Sequence, residues 1–407
     1  MSSAPVHHEV LPLNAFDSQP RTRLVFGNGA VARVGELAKE LGAKCVLVVT
    51  DRGLVTAGHA TRVEHSLQKA GLGTIIFDHV RENPTTLDVD RCLEVARAAG
   101  IDLIVGLGGG SSMDTAKGCN FLLTNGGRMQ DYWGLGKATK PMLPLIAIPT
   151  TAGTGSECQS FALIADEHSH LKMACGDPKA AAKVAILDPT LTVSQPPRVA
   201  ACTGIDAIAH AVETAVTKKR NAVSVMYSHE AFKLLVPGLP RVLKEPLDVD
   251  ARGRMQLGAA LAGTAIENSM LGAAHSAANP LTAHFNVVHG IAVGVMLPHV
   301  VRFNAKDVHA RQAYAELAAA PEIASARNGH EAAVDALVAR LDALLNLAKM
   351  PRSLADCGVD KSKIKLLAEE AMKQWTATFN PRPVTASDFV ALYEAAFDSR
   401  GDGDKTA

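Results

Sequence analysis

The sequence predicts a two-domain fold, in which a doubly wound α/β domain precedes an all-helical domain. Two observations carry this prediction. In the first half, short β-branched apolar runs alternate with amphipathic stretches of helical length, which is typical of parallel strands joined by crossover helices. In the second half the chain is rich in alanine and leucine with helical periodicity, and it carries almost no strand signal.

The predicted elements follow this rhythm. Buried parallel strands are expected at 44–50, 74–77, 103–106 and 145–149. Helices are expected around them at 35–41, 57–70 and 87–99, and in the second half at 199–217, 222–235, 249–265, 290–304 and 332–345. The proline-bearing segment DPTLTVSQPP (188–197) marks the change of pattern, so the predicted domains are 1–195 and 196–407.

Bulk composition argues against several classes of partner. Lys+Arg and Asp+Glu both total 41, so no net field attracts nucleic acid or an anionic membrane. Aromatic residues make up 4% of the chain, which argues against base stacking. The longest apolar stretches, such as 290–301, are too short and too interrupted to span a bilayer. We expect no nucleic-acid or membrane partner.

Cysteine usage and the N-terminal sequence predict a cytoplasmic protein. The seven cysteines are scattered and form no CxxC, so neither a disulfide framework nor a thiolate zinc site is indicated. Reduced thiols in a cytoplasm are the default. The segment MSSAPVHHEVLPLNAFDS lacks a basic stretch followed by an apolar core, so no signal peptide is expected.

A glycine cluster between a predicted strand and a predicted helix indicates a phosphate site. In IDLIVGLGGGSSMDTAK (101–117), Ser111 and Ser112 open the helix. Glycines let the backbone approach a pyrophosphate, and free N–H groups at a helix start bind the anion. The pattern is neither GxGxxG nor a Walker loop. A plain tight turn is the alternative, but three consecutive glycines favour the anion site.

Two further loops follow predicted strands. Asp51 ends one of them, where an acidic residue can accept hydrogen bonds from adenosine ribose and repel a 2′-phosphate. A turn or helix-cap aspartate is the alternative. PTTAGTGSE (149–157) can wrap a nicotinamide or a diphosphate with threonine hydroxyls and backbone amides, whereas a structural turn is its alternative.

Four residues together indicate a metal site: Asp206, His210, His275 and His289. The first two lie four residues apart in a predicted helix, so both side chains leave the same face. The last two lie fourteen residues apart, and we expect them on neighbouring backbone segments. One carboxylate and three imidazoles suit Fe(II) or Zn(II), with a coordination position left for a substrate oxygen. Because the chain has 15 histidines, a chance set is the alternative.

GGGSSMDTAK, PTTAGTGSE, GIDAIAHAVE and HxxxN with a closing VHG resemble, in order, the motifs of the iron-containing (group III) alcohol dehydrogenases. The resemblance spans about residues 22–396 and includes FGNGA, NPT, DPTL and FNPRPVT. It implies a dehydroquinate synthase-like architecture, with an α/β dinucleotide-binding domain, a helical metal-binding domain and a cleft between them. It also implies a homodimer in which hydride passes between NAD(H) and an alcohol or carbonyl at a divalent metal, Fe(II) before Zn(II).

The resemblance carries roles to individual residues. The implied metal ligands are Asp206, His210, His275 and His289. The implied cofactor contacts are Gly108, Gly109, Ser111 and Asp114 at the pyrophosphate, Thr150, Thr151 and Thr154 near phosphate, ribose and nicotinamide, Lys172 at the cofactor ribose, and Asn83 at the adenosine. Asp51 occupies the position that goes with NAD, although the adjacent Arg52 can soften the discrimination and leaves NADP possible.

One position departs from the family pattern. Many members carry a second histidine four residues after the third ligand, usually credited with proton relay, and this chain has Asn279 there. Asparagine forms hydrogen bonds but cannot shuttle a proton. The proton then comes from solvent, from a cofactor ribose hydroxyl or from a group such as His284, for which a surface or packed histidine is the alternative.

Other activities stay open at this point. Within the family, a maleylacetate-reductase-like or hydroxyacid–oxoacid transhydrogenase activity is the nearer alternative, and it needs a basic clamp for an anionic substrate. A dehydroquinate synthase-like lyase shares the architecture, NAD and a divalent ion, but its own motifs are not evident. A non-catalytic NAD- or metal-binding module is disfavoured, because the ligand set and the cofactor loops are both complete.

Overall fold

The computed structural model describes residues 14–169, 171–324 and 329–397. A six-stranded parallel sheet forms the first part of the molecule, with the spatial order β1-β9-β6-β4-β2-β3. Its strands are β1 (Arg23–Phe26), β2 (Cys45–Val49), β3 (Gly73–Phe77), β4 (Leu103–Gly108), β6 (Leu145–Pro149) and β9 (Val184–Leu187). A second sheet, ordered β5-β8-β7, contains β5 (Gly134–Leu135), β7 (Phe161–Ala165) and β8 (Lys172–Gly176).

Helices cover both faces of the six-stranded sheet: α1 (Val34–Glu40), α2 (Arg52–Thr56), α3 (His59–Lys69), α4 (Thr86–Ala99) and α5 (Gly110–Asn125). Side chains alternate along each strand, so Val46 and Val48 pack with α1 and α3 while Leu47 and Val49 pack with α4 and α5. A strand buried on both faces must be apolar at every position, which is why CVLVV reads as a continuous run. The predicted doubly wound architecture is confirmed.

The second part of the molecule is helical. It contains α6 (Pro197–Thr214), α7 (Ala222–Lys244), α8 (Val249–Ser269), α9 (Ala273–Phe285), α10 (His289–Asn304), α11 (Val308–Ala319), α12 (His330–Leu347), α13 (Ile364–Lys373) and α14 (Ala386–Phe397). These helices share one large apolar core. Within the described ranges, no helix is long and apolar enough to cross a membrane.

Several elements differ from the predicted ones. The sequence did not predict β1, β9 or the small sheet, whose strands are recognised by their pairing with other strands. The predicted helix 57–70 begins at His59, after Gly58 in a left-handed conformation, and α2 precedes it. Helix α7 continues past the predicted end at 235, although it contains Pro237 and Pro240. Buried apolar side chains along its last turns offset the lost hydrogen bonds.

Two sequence predictions remain untested by the fold. The division at 195/196 stays a prediction, although the last strand ends at Leu187 and α6 begins at Pro197. The expected absence of a signal peptide concerns an N-terminal segment of which residues 1–13 lie outside the described residues.

Helix α8 holds the loop that follows β6. Gly155 has a left-handed φ of +61° and lies against Gly263, where an added Cβ would sit 2.3 Å from the Gly155 carbonyl oxygen. On the same helix, Gln256 Nε2 donates a hydrogen bond of 2.9 Å to the Pro149 carbonyl. The backbone contact of Gly155 with Gly263 therefore requires glycine on both sides.

We predict that Gly263→Ala lowers the free energy of unfolding by about 1–3 kcal/mol, because backbone cannot move aside as a flexible side chain can. Urea denaturation measures the change. Gly73→Ala is the matched control, since its Cβ would meet the Lys44 carbonyl at an ordinary 3.4 Å and a change of only about 0.5 kcal/mol is expected. Equal effects of the two substitutions would contradict the role of the contact.

Candidate metal centre and cofactor loops

The four predicted ligands lie together, with three imidazoles around one carboxylate oxygen. Asp206 Oδ1 lies 3.6 Å from His210 Nε2, 3.4 Å from His275 Nε2 and 3.8 Å from His289 Nε2. Donor atoms about 2.1 Å from a shared tetrahedral ion lie about 3.4 Å from one another. The ligand atoms of Asp206, His210 and His275 all lie within 4.8 Å of one another, a spacing that fits a divalent ion, whereas His289 approaches this group through Asp206 alone.

Three helices carry these side chains. Asp206 and His210 leave the same face of α6, whereas His275 lies in the first turn of α9 and His289 is the first residue of α10. The imidazole rings of His210 and His275 stack with centroids 4.8 Å apart. His289 has a side chain that is 32% exposed, so it stands on the open side of the site.

Two of these donor atoms have no other partner. Asp206 Oδ1 and His275 Nε2 are buried and accept or donate no hydrogen bond among the described residues. Leaving buried polar atoms unsatisfied costs free energy, so such atoms usually mark a place for a ligand or ion. The donor set, hard carboxylate and borderline imidazole, suits Fe(II) or Zn(II).

Glu213 orients one of the histidines. Its Oε2 lies 2.6 Å from His275 Nδ1, and its Oε1 accepts a hydrogen bond of 2.7 Å from the Ala274 backbone N–H. A carboxylate at Nδ1 places the ring proton there and leaves the Nε2 lone pair for the metal. The sequence analysis missed Glu213. A signal was available, because the residue lies seven positions after Asp206 and hence on the same helix face.

Burial and charge separate the pKa values of the imidazoles. Burial lowers the pKa of His289 to about 3 and also lowers that of His210. Burial acts in the same direction on His275, but the carboxylates of Glu213 and Asp206 outweigh it and raise the pKa to about 9. The Asp206 carboxyl is itself buried, yet the surrounding imidazoles lower its pKa. Without a metal, a protonated His275 places one positive charge between these two carboxylates.

The glycine loop leaves the N-terminus of α5 open. Gly108 has φ +147°, and an added Cβ there would lie 2.2 Å from Ser112 Oγ. Gly109 caps α5 without a side-chain hydrogen bond, so the first helical N–H groups stay available for an anion. Ser111 Oγ accepts a hydrogen bond of 3.3 Å from the Asn83 backbone N–H, which ties a neighbouring loop to this one.

The second loop packs against the first. The Thr150 N–H donates a hydrogen bond of 3.0 Å to the Gly108 carbonyl. A Cβ on Gly109 would meet the Thr151 side chain at 3.4 Å, and one on Gly110 would meet Thr154 Cγ2 at 2.9 Å. Because Gly109 and Gly110 have no Cβ, the side chains of Thr151 and Thr154 can pack directly against the start of α5.

A buried lysine joins the two loops. Lys117 Nζ donates to Ser156 Oγ at 2.9 Å, to the Ser156 carbonyl at 2.7 Å and to the Phe161 carbonyl at 2.9 Å. Ser156 Oγ in turn donates to Asp114 Oδ1 at 3.2 Å. Burial raises the pKa of Asp114 to about 6 and lowers that of Lys117. Asp114 is therefore a buried carboxyl that the Ser156 hydroxyl ties to the second loop.

The remaining predicted cofactor residues lie around these loops. Asp51 accepts a hydrogen bond of 3.0 Å from the Leu54 N–H and caps α2, so the helix-cap alternative also applies to it. It follows β2, the neighbour of β4, and the chain leaves these strands in opposite directions, which defines a switch point that suits ligand binding. Lys172 is exposed at the start of β8, and its charge lowers the pKa of both Asp114 and His289. Its charge therefore acts on the glycine-loop helix and on the metal ligands alike.

The residues considered for proton relay occupy different sides of α9. At about 100° per residue, Asn279 lies about 40° from His275 around the helix, whereas His284 lies about 180° away. Asn279 Nδ2 donates a hydrogen bond of 3.0 Å to Gln374 Oε1. His284 Nε2 lies 2.7 Å from Glu370 Oε2 and is partly exposed, so His284 is a surface histidine in an ion pair.

Comparisons with known proteins identify the family of this chain. The model of the family described as iron-containing alcohol dehydrogenase matches residues 20–189, and the model of its C-terminal domain matches residues 200–397. The NAD-dependent methanol dehydrogenase of Bacillus methanolicus is 37% identical over 91% of this chain and 97% of its own length. A solved 1,3-propanediol oxidoreductase has a TM-score of 0.91 at 32% identity, covering 94% of this chain and all of the other.

A third similar protein carries a cofactor. The sulfoacetaldehyde reductase of Bifidobacterium kashiwanohense, solved in complex with NAD+, has a TM-score of 0.86 at 27% identity. Its alignment covers 95% of this chain and 100% of that chain.

We predict that Glu213→Gln weakens binding of the divalent ion about 10–100-fold, because the His275 ring loses the carboxylate that fixes its tautomer. Competition with a chelator of known affinity measures the change. The matched control is Glu370→Gln, which makes the same substitution at the exposed His284 pair. Unchanged metal affinity in Glu213→Gln would contradict the role of this carboxylate.

Metal affinity should also depend on pH. Below pH 9 the metal-free site holds a proton at His275, and binding must release it, so affinity rises about tenfold per pH unit and levels off above pH 9. His289 adds nothing to this slope at neutral pH, because its pKa is already about 3. Metal titrations between pH 6.5 and 9.5 test this, and an affinity that does not change over that range would contradict it.

Proposed function

The chain belongs to the iron-containing alcohol dehydrogenase family and is an NAD- and metal-dependent alcohol dehydrogenase, and we propose that it interconverts small primary alcohols and their aldehydes. One observation supports the assignment of the reaction centre. Three imidazole Nε2 atoms surround one buried carboxylate oxygen at 3.4–3.8 Å, and the glycine loop lies within the electrostatic reach of the same lysine as this centre.

We assign Asp206, His210, His275 and His289 as the ligands of a divalent ion, with Fe(II) the first choice and Zn(II) the second. When bound, the ion acts as a Lewis acid toward the substrate oxygen, and NAD(H) exchanges hydride with the substrate carbon. The chain supplies the field around them. The N-terminus of α10 carries no side-chain cap and directs its positive end toward negative charge that develops on the substrate oxygen, whereas Glu213 and Asn380 accept the first N–H groups of α9.

We place the cofactor along the carboxyl edge of the six-stranded sheet. The open start of α5, with Gly108, Gly109 and Ser111, suits the pyrophosphate. Thr150, Thr151 and Thr154 suit the nicotinamide half, and Asn83 with Asp51 suits the adenosine half. The carboxylate of Asp51 favours NAD over NADP. Lys172 reaches the ribose from β8, an assignment supported by its influence on the pKa of both Asp114 and His289.

Asn279 orients substrate and carries no proton. Its amide lies one helical turn from His275, but an amide neither gains nor loses a proton at neutral pH. His284 lies on the opposite side of α9, about 180° from His275. The alcohol proton therefore exchanges with water on the side of the site where His289 is exposed.

We propose that the protein is a cytoplasmic homodimer. The seven cysteines are all free, which suits a reducing compartment. The edge strand β1 leaves one side of its backbone unpaired in the described sheet, and it exposes Leu24 and Phe26. An apolar edge strand of this kind suits pairing with a second copy.

Metal-loaded protein should reduce NAD+ with short primary alcohols, and a chelator should abolish the activity. His275→Ala should lose metal-dependent turnover by at least about 10³-fold while its NADH affinity, measured by cofactor fluorescence, changes little. His284→Ala is the matched control on the same helix and should retain turnover. Turnover by metal-free His275→Ala protein would contradict the proposed centre.

A further inference from the structure

The segment FNPRPVT (379–385) contacts all three helices that carry the predicted metal ligands. The Lys218 N–H, just after α6, donates a hydrogen bond of 2.8 Å to the Phe379 carbonyl. Arg382 Nη1 donates one of 2.9 Å to the Phe303 carbonyl near the end of α10, and the Arg382 guanidinium lies 3.9 Å from the centroid of the Phe303 ring. Between these two contacts the segment also reaches the start of α9, through the side chain of its second residue.

That second residue, Asn380, has a buried amide that uses its whole hydrogen-bonding capacity. Its Oδ1 accepts from the Ala273 N–H at 3.2 Å and from Asn304 Nδ2 at 3.1 Å. Its Nδ2 donates to Asn304 Oδ1 and to the Arg382 carbonyl, both at 2.7 Å. If the amide were rotated by 180°, its NH₂ group would face the Ala273 N–H and its oxygen would face the Arg382 carbonyl. Only one orientation therefore satisfies these partners.

Asn380 and Glu213 hold the start of α9 together. Glu213 Oε1 accepts a hydrogen bond of 2.7 Å from the Ala274 N–H, which directly follows the N–H bound by Asn380. Gly272 lies between the two side chains, since an added Cβ there would sit 3.0 Å from Asn380 Oδ1 and 3.1 Å from Glu213 Oε1. The first two N–H groups of α9, which have no partner within the helix itself, thus have fixed acceptors from other parts of the chain.

The direction of the His275 ring depends on this arrangement. His275 is the third residue of α9; Glu213 Oε2 lies 2.6 Å from its Nδ1, and Asp206 Oδ1 lies 3.4 Å from its Nε2. Without the Asn380 oxygen, the buried Ala273 N–H would lose its acceptor, which is unfavourable away from water. The Glu213 carboxylate, beside the same glycine, is the alternative acceptor. A first turn that shifts toward this carboxylate moves the His275 ring.

The other end of the hydrogen-bond network points away from α9. Asn304 Nδ2 also donates a hydrogen bond of 3.1 Å to Tyr314 Oη on α11, and both side chains are buried. Removing the Tyr314 hydroxyl would break this one buried hydrogen bond and leave the four hydrogen bonds of Asn380 in place. The same network therefore offers a substitution that affects stability without changing the start of α9.

We propose that Asn380 is a positioning residue for the metal centre: it fixes the first turn of α9 beside Glu213 and thereby sets the direction of the His275 ring. This inference rests on the proposed function, because His275 must be a metal ligand there. It gives the 379–385 segment a role in the site, although none of its residues is a metal ligand.

The test measures Zn(II) affinity by competition with a chelator of known affinity, and stability by urea denaturation. Asn380→Ala should weaken Zn(II) binding about tenfold, as loss of a group that orients a ligand typically does. Asn380→Asp keeps an acceptor for the Ala273 N–H and loses both donors. It should therefore be less stable than wild-type protein, yet bind Zn(II) at least as tightly.

Tyr314→Phe is the matched control from the same network, and it should lose stability while binding Zn(II) as wild-type protein does. If Asn380→Ala does not fold, Asn380→Ser replaces it, because the serine oxygen ends one bond short of the Oδ1 position and should cause the same loss of affinity.

Three results would each overturn the inference: wild-type affinity in Asn380→Ala or Asn380→Ser, an equal loss of affinity in Tyr314→Phe, or an equal loss in Asn380→Asp. Wild-type protein that binds no Zn(II) would instead overturn the metal centre of the proposed function, so the two failures are distinguishable.

Discussion

One buried carboxylate oxygen, Oδ1 of Asp206, determines how three helices meet. A buried charge is tolerated only when it is paired or binds a metal, so α6, α9 and α10 must all present compensating groups to the same point. His210 comes from the helix of Asp206 itself, whereas His275 and His289 come from the first turns of two other helices. Glu213 adds a second buried negative charge that fixes one imidazole. The apolar core of the helical part packs around the inner side of this polar point, and His289 remains on its open side.

The cofactor loops depend on the same kind of compensation. Lys117 is fully buried, and burial alone would remove its charge. Two hydrogen bonds to Ser156 in the loop after β6, one to the Phe161 carbonyl at the start of β7, and the nearby carboxyl of Asp114 offset that cost. As a result, the start of α5 and the PTTAGTGSE loop are one rigid body. The contact of Gly155 with Gly263 then attaches this loop to α8.

Much of the fold could be predicted from local pattern. Continuous apolar runs gave four of the six strands of the large sheet, and helical periodicity gave the main helices of the second part. The strands β1 and β9 and those of the small sheet were not predicted. They are recognised by their pairing with other strands, and a short apolar run alone does not distinguish a strand from a loop. Helix α7 continues through two prolines because packing against neighbouring helices stabilises it. Local sequence patterns do not predict this packing. Among site residues, the glycine loop and the four metal ligands could be found from spacing and motif order.

The sequence by itself determined the chemistry of the site: one carboxylate, three imidazoles, a glycine loop and an amide where a relay histidine is common. These are residue types at fixed spacings, and helix geometry converts spacing into direction. Only the tertiary structure decided which groups act on them. Glu213 on His275, Lys117 beneath the loops and Gln374 beside Asn279 are contacts between groups brought together by packing. Their energies depend on burial and orientation in three dimensions, and a linear order of residues does not contain either quantity.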